Sequence, residues 1–352
     1  MNPKVSGTTM QAVWYERNGA ARDVLTFGEL PVPDVGPGEV RVRLHSSSVN
    51  PIDIKRRQGV LAMYDAPMPF PRIIPHDDGA GVIDAVGPGI DRACEGQRVW
   101  VYLAQARRPA GPPELRDGRP FGTAAEFVVV PSRLAVPLPE RVGFKQASVI
   151  GIPAITAHRC IYADGPVDRK TVLVAGGAGS VGQYAIQFAK EGGARVITTV
   201  SGAEKMALVR SLGADDIVDY KDEDAAARIL DFTGSKGVDL VCETDFAANL
   251  ELNGKVLRPQ GTINTFGSDS NQTPQLTIRT LNLKELVVRF IFYYTFPDAA
   301  FDEAIRAITR MLKLGTLRHP VASCYPLANV VAAHEAVEAG GVIGKSIIEI
   351  IK

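Results

Sequence analysis

Three glycines at a regular spacing carry the first chemistry in this sequence. Gly176, Gly179 and Gly182 stand within TVLVAGGAGSVGQYAIQFAK, residues 171–190. Thr171 to Val174 is a short apolar, β-branched run fit for a buried parallel strand. Val181, Ala185, Ile186, Phe188 and Ala189 then recur at helical spacing. A glycine turn between strand and helix lets the backbone approach a pyrophosphate. The helix N-terminus adds unpaired N–H groups and the positive end of a dipole. The spacing is G-x-x-G-x-x-G, a variant of the commoner G-x-G-x-x-G, and a turn of this kind can also be purely structural.

The end of the next strand bears on that choice. In a dinucleotide fold it meets the adenine ribose, where an acid bonds the 2′-hydroxyl and repels a 2′-phosphate. Here the strand RVITTV is followed by Ser201, Gly202, Ala203, Glu204 and Lys205. No acid sits at the strand end. Ser201 can donate to a phosphate and Lys205 can pair its charge, which favours NADP(H). Lys205 as a solvated helix charge is the alternative, and Glu204 beside it argues mildly against a phosphate.

The surrounding pattern supplies the elements that hold these groups. From residue 171 strands (171–174, 195–200, 216–219, 238–242, 261–266) alternate with helices (181–191, 203–212, 223–232, 246–257), which implies a parallel sheet covered on both faces. Before it, residues 1–130 read as many short strands between turns, a β-rich barrel-like domain. An apolar helical segment, 146–162, lies between the two. The last part holds a helix (298–314), a strand (321–325), a helix (327–339) and a terminal strand (346–351). The chain has 352 residues, 45% hydrophobic and 22% charged, enough for two domains with sizeable cores. Lys+Arg and Asp+Glu balance at 39 each, so no basic excess speaks for nucleic acid. No apolar run is long enough to span a membrane, and the N-terminus lacks a signal core. Cys94, Cys160, Cys242 and Cys324 are far apart and form no metal-binding pair. A reducing cytoplasm is the expected setting.

Further stretches stand in a definite order: SSVNPIDIKRRQG (47–59), PHDDGAGVIDAVGPG (75–89), GTAAEFVVVP (122–131), SGAEK (201–205), LGADDIVDY (212–220), NTFGSDS (264–270) and GVIGKSIIEII (341–351). Together with the glycine turn they resemble the medium-chain dehydrogenase/reductase superfamily, within it the zinc-free quinone oxidoreductase-like branch that includes zeta-crystallin. The resemblance covers roughly residues 10–351. It implies an α/β architecture: a GroES-like β-rich catalytic domain (1–135), a Rossmann cofactor domain with a doubly wound parallel sheet (136–290), and a C-terminal segment (291–352) returning to the catalytic domain. The active site is implied to lie between the domains. By resemblance, Gly176, Gly179, Ser180, Val181 and Gly182 hold the pyrophosphate. Lys205, Tyr220 and Ser201 hold the 2′-phosphate, and Lys345 matches a basic residue of that pocket. Thr156, Phe266 and Gly267 match segments that lie against the nicotinamide, and Thr244, at the end of the fourth strand, matches a position where relatives also touch the cofactor.

Zinc-dependent relatives carry a cysteine where this chain has Asn50, a Gly-His-Glu motif where it has PHDD with His76, and a four-cysteine lobe where residues 105–121 hold no cysteine. Catalytic zinc needs three protein ligands. No metal site is expected, and His76 is read as structural or as a polar wall. Carbonyl polarisation then falls to hydrogen-bond donors, and Asn50 is the catalytic candidate, a role compatible with starting an Asn-Pro turn.

There are departures. Relatives with quinone activity often have aromatic residues near the positions of Lys55 and Leu61; here Tyr64 is the available substitute. Loop 105–121 is long and basic (Arg107, Arg108, Arg116, Arg119) and is expected to be solvated, with a substrate cover as the alternative. The aromatic stretch 289–296 is expected in a core or a dimer contact, with a substrate wall as the alternative.

The expected activity is NADPH-dependent, zinc-independent reduction of a quinone or an α,β-unsaturated carbonyl, in a homodimer acting on a small molecule. An enoyl or alkenal reductase, a non-enzymatic NADPH-binding protein and, further off, a zinc alcohol dehydrogenase are the rivals.

Overall fold

The computed structural model describes residues 9–351, apart from 61–67 and positions 106, 107, 109–111, 113, 114, 116 and 117. Its strands, in chain order, are β1 Thr9–Trp14, β2 Thr26–Pro31, β3 Glu39–Ser48, β4 Asp78–Val86, β5 Arg98–Val101, β6 Phe127–Pro131, β7 Ala135–Pro137, β8 Thr171–Val174, β9 Arg195–Val200, β10 Asp216–Asp219, β11 Val238–Glu243, β12 Leu257–Thr265, β13 Val287–Phe290, β14 Val321–Pro326 and β15 Lys345–Glu349. The chain folds as two units, one formed by the described residues up to Ile152 and from His319 onward, the other by Pro153–Arg318. No helix among the described residues is long and apolar enough to cross a membrane.

The first unit is built on a sheet of order β14-β15-β3-β4-β5-β7, with β6 also paired to β3. β3 shows why the sequence extends here: Val40, Val42 and Leu44 are buried, and the charged residues between them are half-exposed. A core of Met10, Ala12, Val13, Val49, Ile54 and Ala124 is closed by Leu327, Val330, Ala333 and Ile348 from the C-terminal return.

The second unit is a parallel sheet of order β10-β9-β8-β11-β12-β13. Counted from β8, that is the doubly wound order 3-2-1-4-5-6. Val172, Leu173, Val174 and Val241 in its centre are wholly buried, as strands covered on both faces must be. The expected helices form at Ser180–Glu191, Ala203–Ser211, Ala225–Phe232 and Phe246–Val256. The expected helix over 146–162 is instead two pieces, Phe144–Ala147 and Gly151–Tyr162.

The unit boundaries differ from the expected 135 and 290. Residues 136–152 stay with the first unit, because β7 pairs with β5 and the Ile152 N–H donates to Asp78 at about the same distance from both carboxylate oxygens (3.1 and 3.0 Å). Residues 291–318 stay with the second unit. The helix Asp298–Leu314 buries Ala300, Phe301, Ala304, Ile308, Met311 and Leu312. Arg310 pairs with Glu191 at 2.6 Å, and Gln187 brackets the Arg318 backbone, accepting from its N–H (2.7 Å) and donating to its carbonyl (3.1 Å). The return to the first unit begins at His319, not 291. In the aromatic stretch, Tyr293, Tyr294 and Phe296 are buried, with Tyr293 edge-on to Phe301, whereas Phe290 is 72% exposed.

Candidate active site

The cofactor candidates gather at the C-terminal ends of the parallel strands. The turn after β8 is as tight as its glycines require. Gly176 has φ +65°, and a Cβ at Gly182 would lie 2.5 Å from the Gly176 carbonyl oxygen. Gly179 precedes the helix Ser180–Glu191 and has no side chain to cap it, so the first-turn N–H groups at Ser180 and Val181 are left for a ligand. Thr244 closes the adjacent side: a Cβ at Gly176 would lie 3.0 Å from Thr244 Cγ2, and one at Gly267 2.5 Å from the Thr244 carbonyl oxygen. Phe266, half-buried, donates its N–H to the Glu243 carbonyl at 3.2 Å. Thr156 is buried and its Oγ1 has no partner. It lies one helical turn before Cys160, on the same face. The free Cys160 thiol is hydrogen-bonded with the free Cys242 in β11, and Asn264 in β12 donates to the Cys160 carbonyl (2.8 Å). The orphan hydroxyl is therefore carried on the helix that packs against the ends of β11 and β12.

Sequence reasoning missed the residue that sets this turn. Glu243, at the end of β11, accepts from Asn253 Nδ2 (2.7 Å), Asn249 Nδ2 (2.9 Å) and the Asp245 N–H (2.7 Å). Burial pushes its carboxyl up, and these bonds pull it back.

The residues expected at the ribose end lie beyond β9 and β10. Asp219 of β10 pairs in register with Val200 of β9, so Ser201 and Tyr220 are the next positions along neighbouring strands. Tyr220 is 53% exposed, and Ser201 and Lys205 are half-buried. The Lys205 side chain makes no hydrogen bond or ion pair among the described residues. Asp219 fastens the loop. Its carboxylate accepts from the Gly202 N–H (2.7 Å) and the Lys221 N–H (3.1 Å), bonds that hold it below the usual carboxylate range. The acid of this region thus sits at the end of the third strand, committed to backbone. The Asp-Tyr pair ending LGADDIVDY was the available signal.

Lys345 has buried partners of its own. It stands in the first unit, 3% exposed, with Nζ 2.6 Å from Asn50 Oδ1 and 3.2 Å from Asp78 Oδ2. The reason is register. β15 runs antiparallel to β3 with Ile347 opposite Ser48, and the Val49 N–H donates to the Ser346 carbonyl, which brings Lys345 level with Asn50. On the other side β4 sets Asp78 opposite Ser48. Asn50 Nδ2 donates to Asp78 Oδ2 at 3.0 Å. Asn50 also begins the helix Pro51–Gln58, its N–H held by the Asp53 carboxylate at 2.8 Å. Burial and the nearby Asp77 push Asp53 up to about 7. Burial also lowers Lys345 and raises Asp78, and their mutual attraction opposes both shifts.

His76 belongs to a separate buried chain. Its Nδ1 meets Ser47 Oγ at 3.0 Å and its Nε2 meets His334 Nε2 at 2.9 Å. Burial holds both rings neutral, His334 lowered to about 3, so one Nε2 donates and the other accepts. His76 holds φ +78°, a left-handed conformation uncommon outside glycine. These residues do not fit a zinc ion. An ammonium already lies on Asn50 and Asp78, and both nitrogens of His76 are spent. Among the described residues no group of three metal-ligating side chains occurs.

Two described arginines of the loop after β5 are less solvated than expected. Arg108 is buried, and Arg119 pairs with Glu39 and donates to the Val129 carbonyl (2.9 Å). Arg107, Arg116, Leu61 and Tyr64 lie outside the described residues.

Residues 36–140 match the alcohol dehydrogenase GroES-like domain, and residues 180–310 match the zinc-binding dehydrogenase domain. A chloroplastic quinone-oxidoreductase homolog of Spinacia oleracea is 30% identical, covering 97% of this chain and 98% of its own. A 2-haloacrylate reductase of Burkholderia is 27% identical, covering 96% and 98%. A mycobacterial structure complexed with NADPH is 28% identical and superposes with a TM-score of 0.81 over 97% of this chain and all of that one. The chain belongs to the medium-chain dehydrogenase/reductase superfamily, and its place there is in the quinone oxidoreductase-like branch. The two-part α/β architecture is that of the superfamily.

Proposed function

We propose that this chain is a zinc-independent, NADPH-dependent oxidoreductase that reduces a quinone or an α,β-unsaturated carbonyl. The observation that carries the reading is Lys205, without a partner, set beside Ser201 and Tyr220 past the registered end of β9 and β10. A cation so placed, with the acid of the region tied to backbone, suits a 2′-phosphate. The glycine turn and first helical turn suit the pyrophosphate, and the orphan Thr156 hydroxyl suits a polar group at the nicotinamide end. NADPH, when bound, supplies the hydride.

Reduction of either substrate class places negative charge on an oxygen, and a positioned donor stabilises it. Asn50 Nδ2 keeps one N–H beyond its bond to Asp78. Asn50 exposes 1% of its surface, so contact with a substrate oxygen requires the packing over it to yield. Quinones and activated alkenes need less polarisation than simple ketones, which suits a site without a metal.

Loss of NADPH absorbance across quinones, 2-alkenals and enoyl thioesters, with NADH as control, tests the reading. Turnover of at least one class with NADPH preferred is expected. Binding without turnover on every substrate returns the chain to a non-enzymatic cofactor-binding role.

The assembly we infer is a homodimer through the β13 edge. β13 ends the parallel sheet with an unpaired side, and Val287 (47% exposed) and Phe290 (72%) lie on it, with Leu283 (76%) just before. The four free cysteines go with a reducing, cytoplasmic setting.

A further inference from the structure

A carboxamide has two orientations, and at Asn50 its neighbours allow one. Asp78 only accepts hydrogen bonds and Lys345 only donates them. With Oδ1 on Lys345 Nζ (2.6 Å) and Nδ2 on Asp78 Oδ2 (3.0 Å), Asn50 has two charge-assisted bonds. Turned over, it would set its oxygen against a carboxylate and its amide hydrogens against an ammonium. The three side chains are buried, so no water softens that penalty. The frame around them is stiff. Asp78 also accepts from the Ile152 N–H, and β15, β3 and β4 are adjacent strands that fix the three positions by register.

We propose that Lys345 is a positioning residue for the reduction. Its ammonium, with Asp78, locks the Asn50 carboxamide so that the second N–H of Nδ2 is the one presented to the substrate oxygen. This rests on the reading of Asn50 as the donor. It also assigns Lys345 a task different from the 2′-phosphate contact that its place in the sequence suggests.

The test uses the full chain and compares Asn50→Ala, Lys345→Met and the double variant. The readouts are kcat at saturating substrate and Kd for NADPH and NADH by nucleotide fluorescence. Each single variant is expected to lose about tenfold or more in kcat, as for a charge-assisted bond, with Kd for both nucleotides within about twofold of the parent. The double variant is expected to lose no more than Asn50→Ala alone, since Lys345 acts through Asn50. Unchanged kcat in Asn50→Ala sinks the donor reading. Loss in Asn50→Ala with unchanged kcat in Lys345→Met, or additive losses, overturns the positioning role alone. A rise in Kd for NADPH but not NADH in Lys345→Met returns the lysine to the phosphate. Because Lys345→Met leaves Asp78 buried without its cation, the paired variant Asp78→Asn, Lys345→Met removes both charges. It is expected to unfold at a temperature near the parent's and to keep the low kcat; parent-like kcat there overturns the proposal.

Discussion

Replacing Lys205 with alanine removes one positive charge from the loop beyond β9. Nothing else in the described structure occupies that charge, and the nearest acid in sequence, Glu204, is exposed. The buried acid of the region, Asp219, already bonds Gly202 and Lys221. A bound 2′-phosphate would therefore lose a contact for which the loop has no substitute. Two unit charges about 4 Å apart attract by about 1 kcal/mol in water and about 4 kcal/mol near a protein surface. Lys205 is half-buried, between those limits, and hydrogen bonds to charged groups contribute about 1.5–3 kcal/mol net. The expected rise in Kd for NADPH is thus about tenfold to a hundredfold. NADH lacks the phosphate, and its Kd should move by less than about twofold. Fluorescence titration of both nucleotides decides the matter. The parent's NADPH affinity should also fall more steeply with salt than the variant's, since one exposed-side charge pair is gone. Equal losses for NADPH and NADH would refute the assignment and make Lys205 a solvated helix charge.

Burial also makes stability depend on pH. His158, packed on Tyr162 and Phe188, is lowered to about 4. Its folded form resists a proton that the unfolded chain binds near 6.5, so its contribution is fully present above that pH and is lost as pH falls toward 4. The loss is about 1.4 kcal/mol per pH unit for one group. Urea unfolding of His158→Phe at pH 7 and pH 5 should show a shallower fall than the parent by about 2 kcal/mol; identical slopes would mean that His158 is protonated in the fold. Asp53, raised to about 7, runs the other way, with stability falling as pH rises from about 4 through 7. At the sheet edge, Phe290→Lys places a charge on the exposed end of β13. Light scattering should show a dimer for the parent and a monomer for the variant, and a monomeric parent would remove the dimer inference.

Local signals carried much of the fold. The glycine turn, the β-branched runs and the alternation of strand and helix are short-range patterns, and the parallel sheet followed from them. Ser201 stood out as a candidate because it directly follows a strand end, and Tyr220 through the resemblance carried by LGADDIVDY. What was not legible depends on pairing between distant residues. Asn50, Asp78 and Lys345 meet because β15 inserts beside β3, and nothing near residue 345 announces that register. The residues 291–318 look like a passage back to the first unit until Gln187 is seen to hold Arg318. Arg119 looked solvated because its partner, Glu39, lies far away in the sequence. Asn50 was recognised as a residue type suited to donation, but its orientation depends on two charges that the sequence does not place beside it.

The Asp78 carboxylate leaves no room at its neighbour. A Cβ on Gly151 would lie 2.0 Å from Asp78 Oδ1. Gly151 fits here for what it lacks, and its constraint is not local to the helix that it starts. An alanine at position 151 is accommodated without this clash where position 78 has first shortened or lost its carboxylate. The two sites should therefore change in that order during divergence, with the lysine at 345 released once the acid is gone. A lineage that acquired alanine first would carry a clash that has to be relieved by moving the strand or the helix start. The arrangement around Asn50 thus has a permitted sequence of dismantling, written into the contact between one carboxylate and one missing methyl group.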